Sequence, residues 1–391
     1  MKDHSLSVRL LLNVGHGLDH MFLLVFASAV GVIAQEFGMA SWEALMPYGA
    51  GAFVLFGLGS IPSGRLGDLW GRRRMMIVFF VGLGGSALLV AATQTPWQMA
   101  AALTLLGAFA SIYHPVGIPL LVQHSANPGF AIGINGLAGN MGVAFAAVAT
   151  GFLVQWLGWR AAFVIPAVAS LACAVWFARE CPVESEAPAR RKGAAAAKLT
   201  PGTMARAMLV MTVSAATGSI LFNFTTNGNA QMISERFEGL VQDPATLGLL
   251  LGAIYAVASI AQVVVGKLLD RFAVKPIFIG IVLFQIPALL LAAHAQGWWF
   301  FVALMGVMIF IFGAVPFIDV VIVRYVDDSL RSRVAGIRLA VSLGISSLAV
   351  WSLGPAVKDL GFATLFQVMG GLAVFALIVV SLLPPEPRPS A

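Results

Sequence analysis

The sequence predicts an all-α polytopic membrane protein, with twelve transmembrane helices arranged as two six-helix bundles. Three observations lead there. Of 391 residues, 59% are hydrophobic and only 10% charged, where a soluble domain carries about a quarter charged. The chain holds about twelve apolar stretches of near 20 residues, each long enough to cross a hydrocarbon core of about 30 Å as a helix. Finally, the charged segment 64–74 (GRLGDLWGRRR) returns in weaker form from Gly266 (GKLLDRFAVK), roughly 202 residues later.

The first crossing spans about 9 to 34, and its apolar run is interrupted by Gly-His-Gly-Leu-Asp-His at 15–20. A lipid-facing helix would not carry that hexapeptide, so this face turns inward. The second crossing, about 44 to 62, is rich in glycine, as close helix contacts require. A charged hairpin at 64–74 then leads into the third, about 75 to 92. Pro96 and Trp97 mark an outer turn, and the fourth crossing runs to about 122 with Tyr113-His114-Pro115 and Pro119 inside it. Proline there frees carbonyls and permits a kink on a buried or wet face.

The fifth crossing, about 129 to 157, carries five glycines around Asn135 and Asn140, and the sixth ends near Arg179. Residues 180–206 are polar and unpatterned, as a linker would be. The expected division is therefore 1–179, a cytoplasmic linker 180–206, and 207–391. The second half repeats the first. Trp156-Leu157-Gly158 and Phe163 precede Asp359-Leu360-Gly361 and Phe366 by about 203 residues, and Pro115 precedes Pro316 by about 201.

With Met1 inside, about nineteen of the 23 Lys and Arg fall on the cytoplasmic side, which predicts both termini there. The formal charge of +6 is scattered through loops and forms no tract for nucleic acid. Lys2 and Arg9 ahead of Ala27-Ser28-Ala29 superficially match a cleavable signal, but cleavage would leave an odd helix number. Cys173 and Cys181 are placed neither for an outer disulfide nor for a metal cage. Short loops leave no room for a soluble catalytic domain, and H-E-x-x-H and G-x-S-x-G are absent, so no enzyme and no cofactor is expected.

Segment 64–74 resembles the loop between the second and third helices of the major facilitator superfamily, and the copy at Gly266 matches its equivalent between the eighth and ninth. Gly-Trp-Arg at 158–160 after the fifth helix strengthens the resemblance, which covers essentially the whole chain. Tyr113-His114-Pro115 followed by the glycine-rich stretch 135–142 is most similar to the fosmidomycin-resistance type of exporter. The drug antiporters of that superfamily place an Arg in the fourth helix and Gly-Pro in the fifth. Here 103–107 has no Arg and Asn140 follows Gly139, which leaves proton antiport and the direction of transport open.

Intramembrane ionisable groups cost about 2.5–3.5 kcal/mol on insertion scales and face a cavity or a partner. Three stand out: Asp19, Asp319 and Arg338. Asp19 is flanked by His16 and His20, and His114 sits at comparable depth in the fourth helix. These four are the proton-coupling candidates, since a His beside a carboxylate titrates near physiological pH; a structural hydrogen-bonded cluster is the alternative. Asp319 and Arg338 are expected at equal depth near the inner ends of the tenth and eleventh helices, as a gate pair, unless Arg338 meets Asp68 or an anionic substrate. Asn223, Thr226, Asn227 and Gln231 form a polar stripe on the seventh helix, read as substrate contacts or as interhelical bonds. Tyr113, Asn135 and Asn140 complete the cavity candidates.

The resemblance implies a gating loop of Gly64, Asp68, Gly71, Arg72, Arg73, Arg74, Asp270 and Arg271, with Asp68 drawn to the N-terminus of the eleventh helix. It also implies a secondary active transporter with a central site between the bundles. The expected function is proton-coupled export of a small organic compound by a monomer in the bacterial inner membrane. Uptake of a small organic anion, or a non-transporting sensor on the same scaffold, are the alternatives. ATP drive is disfavoured because Gly266-Lys267 continues with Leu268 and no phosphate loop exists.

Overall fold

The computed structural model describes residues 5–122, 128–184, 201–325 and 328–385; some side chains inside helices, those of Asp270 and Asp319 among them, lie outside the described residues. In lipid each apolar run must satisfy its own backbone, which makes every one a helix. Six helices form the first half: α1 (Leu6–Glu36), α2 (Trp42–Trp70), α3 (Arg72–Ala91), α4 (Pro96–Val122), α5 (Pro128–Leu157) and α6 (Trp159–Glu180). The second half opens with α7 (Pro201–Arg236), α8 (Pro244–Arg271), α9 (Val274–His294) and α10 (Gly297–Tyr325). A continuous run, Asp328–Ser381, then breaks at Gly361, whose φ of 72° is non-helical. It therefore holds two crossings, α11 (328–360) and α12 (362–381). Among the described residues, eleven helices are long and apolar enough to span a membrane, and this break divides the last of them into two crossings.

Local chemistry sets the ends. Ser5 caps α1 by accepting from the Val8 amide at 3.3 Å, Thr95 caps α4 with Pro96 behind it, and Asp243 caps α8 through Thr246 N at 2.8 Å. Serine, threonine and aspartate do this because their oxygens satisfy amides that a first turn leaves unpaired. Two expected boundaries shift, those of α2 and α7. Helix α1 runs unbroken through residues 15–20. Helix α2 passes Pro62 to Trp70, so the charged segment is no loop: it is two helix ends joined at Gly71, where φ is 97°. One glycine in the left-handed region reverses the chain, and its neighbours stay helical. Helix α7 begins at Pro201, inside the stretch expected as linker; residues 185–200 of that stretch lie outside the described residues.

The two halves meet through three helix pairs: α5 with α8, α2 with α11, and α1 with α7. Glycine lets backbones touch there. A Cβ on Gly248 would lie 2.6 Å from the Ala147 carbonyl, one on Gly151 would run into Pro244, and one on Gly57 would lie 2.7 Å from Leu343 Cβ. All three lie at or beyond mid-helix, away from the termini. Toward the termini, a Cβ on Gly133 or Gly136 of α5, or on Gly266 of α8, would meet nothing within 4 Å among the described residues. Among the described residues, these tight glycine approaches between the halves thus lie at mid-helix or away from the chain termini. Outward-facing Phe145, Val168, Leu291 and Trp351 are each more than half exposed, as a lipid-facing surface demands.

The repeat is visible in the hydrogen bonds. Arg73 donates to the carbonyls of Ala178 (2.5 Å) and Cys181 (2.7 Å) at the end of α6. About 202 residues on, Lys275 donates to those of Ser381 (2.7 Å) and Leu383 (3.2 Å) at the end of α12. A cation on the last carbonyls of a helix satisfies acceptors and the dipole together. Each half thereby ties the start of its third helix to the end of its sixth.

Two outcomes follow from this packing. A Cβ on Gly142 would run into the Gly17 carbonyl at the α1–α5 contact, whereas one on Gly136 meets nothing. Overpacking a tight contact costs about 1–3 kcal/mol, so Gly142→Val is expected to lower the melting temperature in detergent while Gly136→Ala leaves it unchanged or raised; equal behaviour of the two would refute the close approach. Cys181, outside the helices and buried, has its thiol pushed up to about 11 by burial. In a Cys173→Ser background, maleimide labelling of Cys181 is expected to be slow at pH 7.5 and to climb steadily toward pH 10, and fast labelling at pH 7.5 contradicts the burial.

Candidate functional site

The middle of α1 holds a fully buried acid. Asp19 has no accessible surface, and neither carboxylate oxygen finds a hydrogen-bond partner among the described residues. His114 Nε2 lies 3.7 Å from its Oδ2. His114 reaches it because α4 widens at Tyr113–Gly117 into a π turn. Pro115 lacks the amide that an α-helical register needs there, and such turns recur where a side chain must be re-aimed.

Three imidazoles crowd beside this carboxylate. The rings of His16 and His20 lie 4.9 Å apart, those of His16 and His114 5.0 Å, and those of His20 and His114 5.7 Å. His16 Nδ1 lies 2.7 Å from the Asn135 carbonyl, which can only accept, so Nδ1 carries the proton and Nε2 the lone pair. His20 Nε2 then donates to His16 Nε2 at 3.1 Å. The structure brings these four side chains together, and His114 stays a quarter exposed.

A second layer holds the rings. Tyr113 stacks on His16, 4.8 Å between centroids at 12°, and donates its hydroxyl to the Leu12 carbonyl at 2.6 Å. Asn135 donates to that hydroxyl at 2.7 Å and to Asn13 Oδ1 at 2.9 Å. Gly139 leaves room for the imidazole, since a Cβ would lie 2.7 Å from His16 Cε1. Tyr113 and Asn135, expected on the cavity wall, are therefore braces at 0% and 1% exposure. Asn13 was missed; its signal was its place one helical turn before His16, on the same face.

The remaining candidates divide. Asn140 donates to Gln262 across the halves. Asn223 donates to Ser219 O (2.9 Å) and to Ser346 Oγ of α11 (2.7 Å), Thr226 to Phe222 O, and Asn227 to Asn223 O. This stripe closes its own bonds. Gln231 alone opens into a cavity of about 330 Å³ on the closed side, with Ser28, Gln35 and Gln242. Asn229, which bonds Tyr255 at 3.1 Å, went unnoticed as one more polar residue of a polar helix. Arg338 lies within electrostatic reach of His114, so α11 brings a cation toward the cluster; the gate partner expected for it, Asp319, has its side chain outside the described residues.

In the gating segment, Asp68 is half exposed and lies 3.9 Å from Arg72, which also donates to the Pro119 carbonyl at 3.4 Å. The Arg73 amide donates to Glu184 at 3.2 Å. Gly64 faces Pro115, a Cβ there lying 3.3 Å away, and a Cβ on Gly71 would meet Glu184 at 2.6 Å. Arg74 and Arg271 are exposed, and the Asp270 side chain lies outside the described residues. Glu184 gave no signal in a stretch read as linker.

Known proteins share both architecture and sequence with this chain. The solved bacterial homologue of the human lysosomal transporter Spinster superposes with a TM-score of 0.75 at 16% identity, over 96% of this chain and 95% of that one. A POT family transporter solved with 5-aminolevulinic acid gives 0.73 at 11% identity, over 96% and 94%. Multidrug resistance protein MdtG of Dickeya zeae is 24% identical over 78% of this chain and 76% of its own length. The puromycin resistance protein of Streptomyces alboniger is 32% identical over 36% of this chain, which spans only 27% of that protein's length. The profile of the Major Facilitator Superfamily matches residues 12–234 and again 213–391, together almost the whole chain. Twelve crossings in two copies, tied alike by Arg73 and Lys275 and matched twice by one profile, make this chain a member of the Major Facilitator Superfamily of membrane transporters.

Proposed function

We propose that this transporter exports a small organic compound across the bacterial inner membrane, driven by the proton gradient, as a monomer of the fosmidomycin-resistance type. The observation that carries the reading is the buried ionisable cluster on α1 and α4, whose His114 is a quarter exposed and which we place at the end of a cleft between the halves open toward the termini. With termini and linker 180–206 in the cytoplasm, as the excess of Lys and Arg there favours, that cleft loads from inside the cell. Residues 1–179 and 207–391 then rock about the three cross-half helix pairs, the alternating-access motion of such repeats. The cluster of Asp19, His16, His20 and His114 is where the coupling ion acts, and Arg338 faces it across the cleft. The relatives named for puromycin and multidrug resistance support an amphipathic drug-like substrate.

Uptake of an organic anion is the second reading, favoured by the approach of Arg338 to His114. Direction and drive separate the two. Inside-out vesicles from cells overproducing the protein are loaded with a panel of labelled antibiotics that includes puromycin, with and without a protonophore. The expected result is accumulation of at least one compound that collapses with the gradient; accumulation unaffected by the protonophore removes the proton, and gradient-driven movement only in right-side-out vesicles reverses the direction. Moving one charge against 100 mV is worth about 2.3 kcal/mol, so one-to-one coupling is expected to sustain a concentration ratio of about fifty.

A further inference from the structure

We infer that His16, His20, His114 and Asp19 form a binding site for one divalent transition-metal ion such as Zn²⁺ or Co²⁺. This does not depend on what the protein transports. The ligand nitrogens of the three histidines all lie within 4.8 Å of one another. Around a tetrahedral ion with metal–nitrogen bonds of about 2.0–2.1 Å, neighbouring ligands stand roughly 3.4 Å apart. The His16–His20 pair is already at 3.1 Å and the His114–Asp19 pair at 3.7 Å, so closure draws these two pairs together around the ion.

The pattern of donors is that of a built metal site. His16 and His20 are at i and i+4 on one helix, the spacing by which a helix presents two imidazoles to one ion. His16 donates Nδ1–H to the Asn135 carbonyl at 2.7 Å, which leaves the Nε2 lone pair aimed at the cluster. A second partner of this kind holds the ring of a metal ligand in the correct tautomer. Tyr113 stacked on the same ring at 4.8 Å keeps it from swinging away. The fourth donor is the independent observation. Asp19 is fully buried, points at His114 Nε2 from 3.7 Å and has no hydrogen bond on either oxygen among the described residues.

A carboxylate buried without a partner is costly, and a coordinated cation removes that cost. Three imidazoles with one carboxylate select the borderline ions over Mg²⁺ and Ca²⁺, which prefer oxygen ligands. His114, a quarter exposed, supplies the entrance from the cleft. A bound ion would join α1 to α4 within the first half only. It would also neutralise Asp19 at the end of the cleft.

The test uses tag-free full-length protein in detergent, stripped with EDTA and desalted, then titrated with Co²⁺. One equivalent is expected to produce the visible absorption bands of a tetrahedral centre, and Zn²⁺ is expected to displace them. His20→Gln and Asp19→Asn are expected to bind at least tenfold more weakly, while His294→Ala, on the exposed far end of α9, binds as wild type. No bands, octahedral bands, or undiminished binding in His20→Gln and Asp19→Asn overturn the site. Melting curves of the metal-free variants accompany the titration; if a variant does not fold, nitrogen hyperfine splitting from Cu²⁺ bound to the wild type decides, with several coupled imidazoles expected and none contradicting.

Discussion

A carboxylate with no accessible surface and, among the described residues, no hydrogen bond, set midway along a membrane helix, is the constraint around which the first half is arranged. A lone charge at that depth is expensive, and a protein that needed only packing there would carry leucine. The surroundings of Asp19 read as means of keeping it in place. The Gly17–Gly142 contact presses α5 against α1, Gly139 opens the space that His16 fills, and the π turn at Tyr113–Gly117 re-aims His114. Asn135 and Tyr113 then lock the His16 ring. Each of these features is locally unfavourable or neutral. Together they hold three imidazoles and an acid at one point.

The internal repeat makes the asymmetry informative. The helix-end ties are duplicated with nearly the same spacing, Arg73 on α6 and Lys275 on α12. The cluster is not duplicated. At offsets of about 201–203, the places of Asp19 and His114 fall among Ile220 to Phe222 and Val315 to Phe317, and that of His16 among Thr217 to Ser219. None of these is ionisable. The scaffold is thus common to both halves, whereas the ionisable centre belongs to the first, and the second contributes Arg338 and a self-satisfied polar stripe.

Much of this was legible in the sequence, for physical reasons. Hydrophobic length, loop charge and the repeat of a charged segment define twelve crossings in two copies, because a bilayer leaves the backbone few options. Asp19, His16 and His20 share one turn of one helix, and His114 sits at matching depth, so their meeting needed only the family's arrangement of α1 and α4. What was not legible depends on contacts between distant residues. Asn135 is 22 residues from Tyr113 and 122 from Asn13, and nothing local marks it as a brace. The polar stripe of α7 was legible as polar but not as satisfied, since amide and hydroxyl side chains return to carbonyls one turn back. The ends of α2 and α3 were misjudged because charge reads as loop, although a helix continues past the membrane until something like Gly71 turns it.

The central claim is that Asp19 is kept for an ion and against the stability of the apo fold. The melting temperature of metal-free Asp19→Leu in detergent, beside wild type, tests it most directly. Removing a buried polar group that has no partner is neutral or stabilising when the replacement has similar shape, so the variant should melt at or above the wild-type temperature. A fall of several degrees would mean that Asp19 makes a structural interaction that holds α1 in the bundle, and would contradict the account.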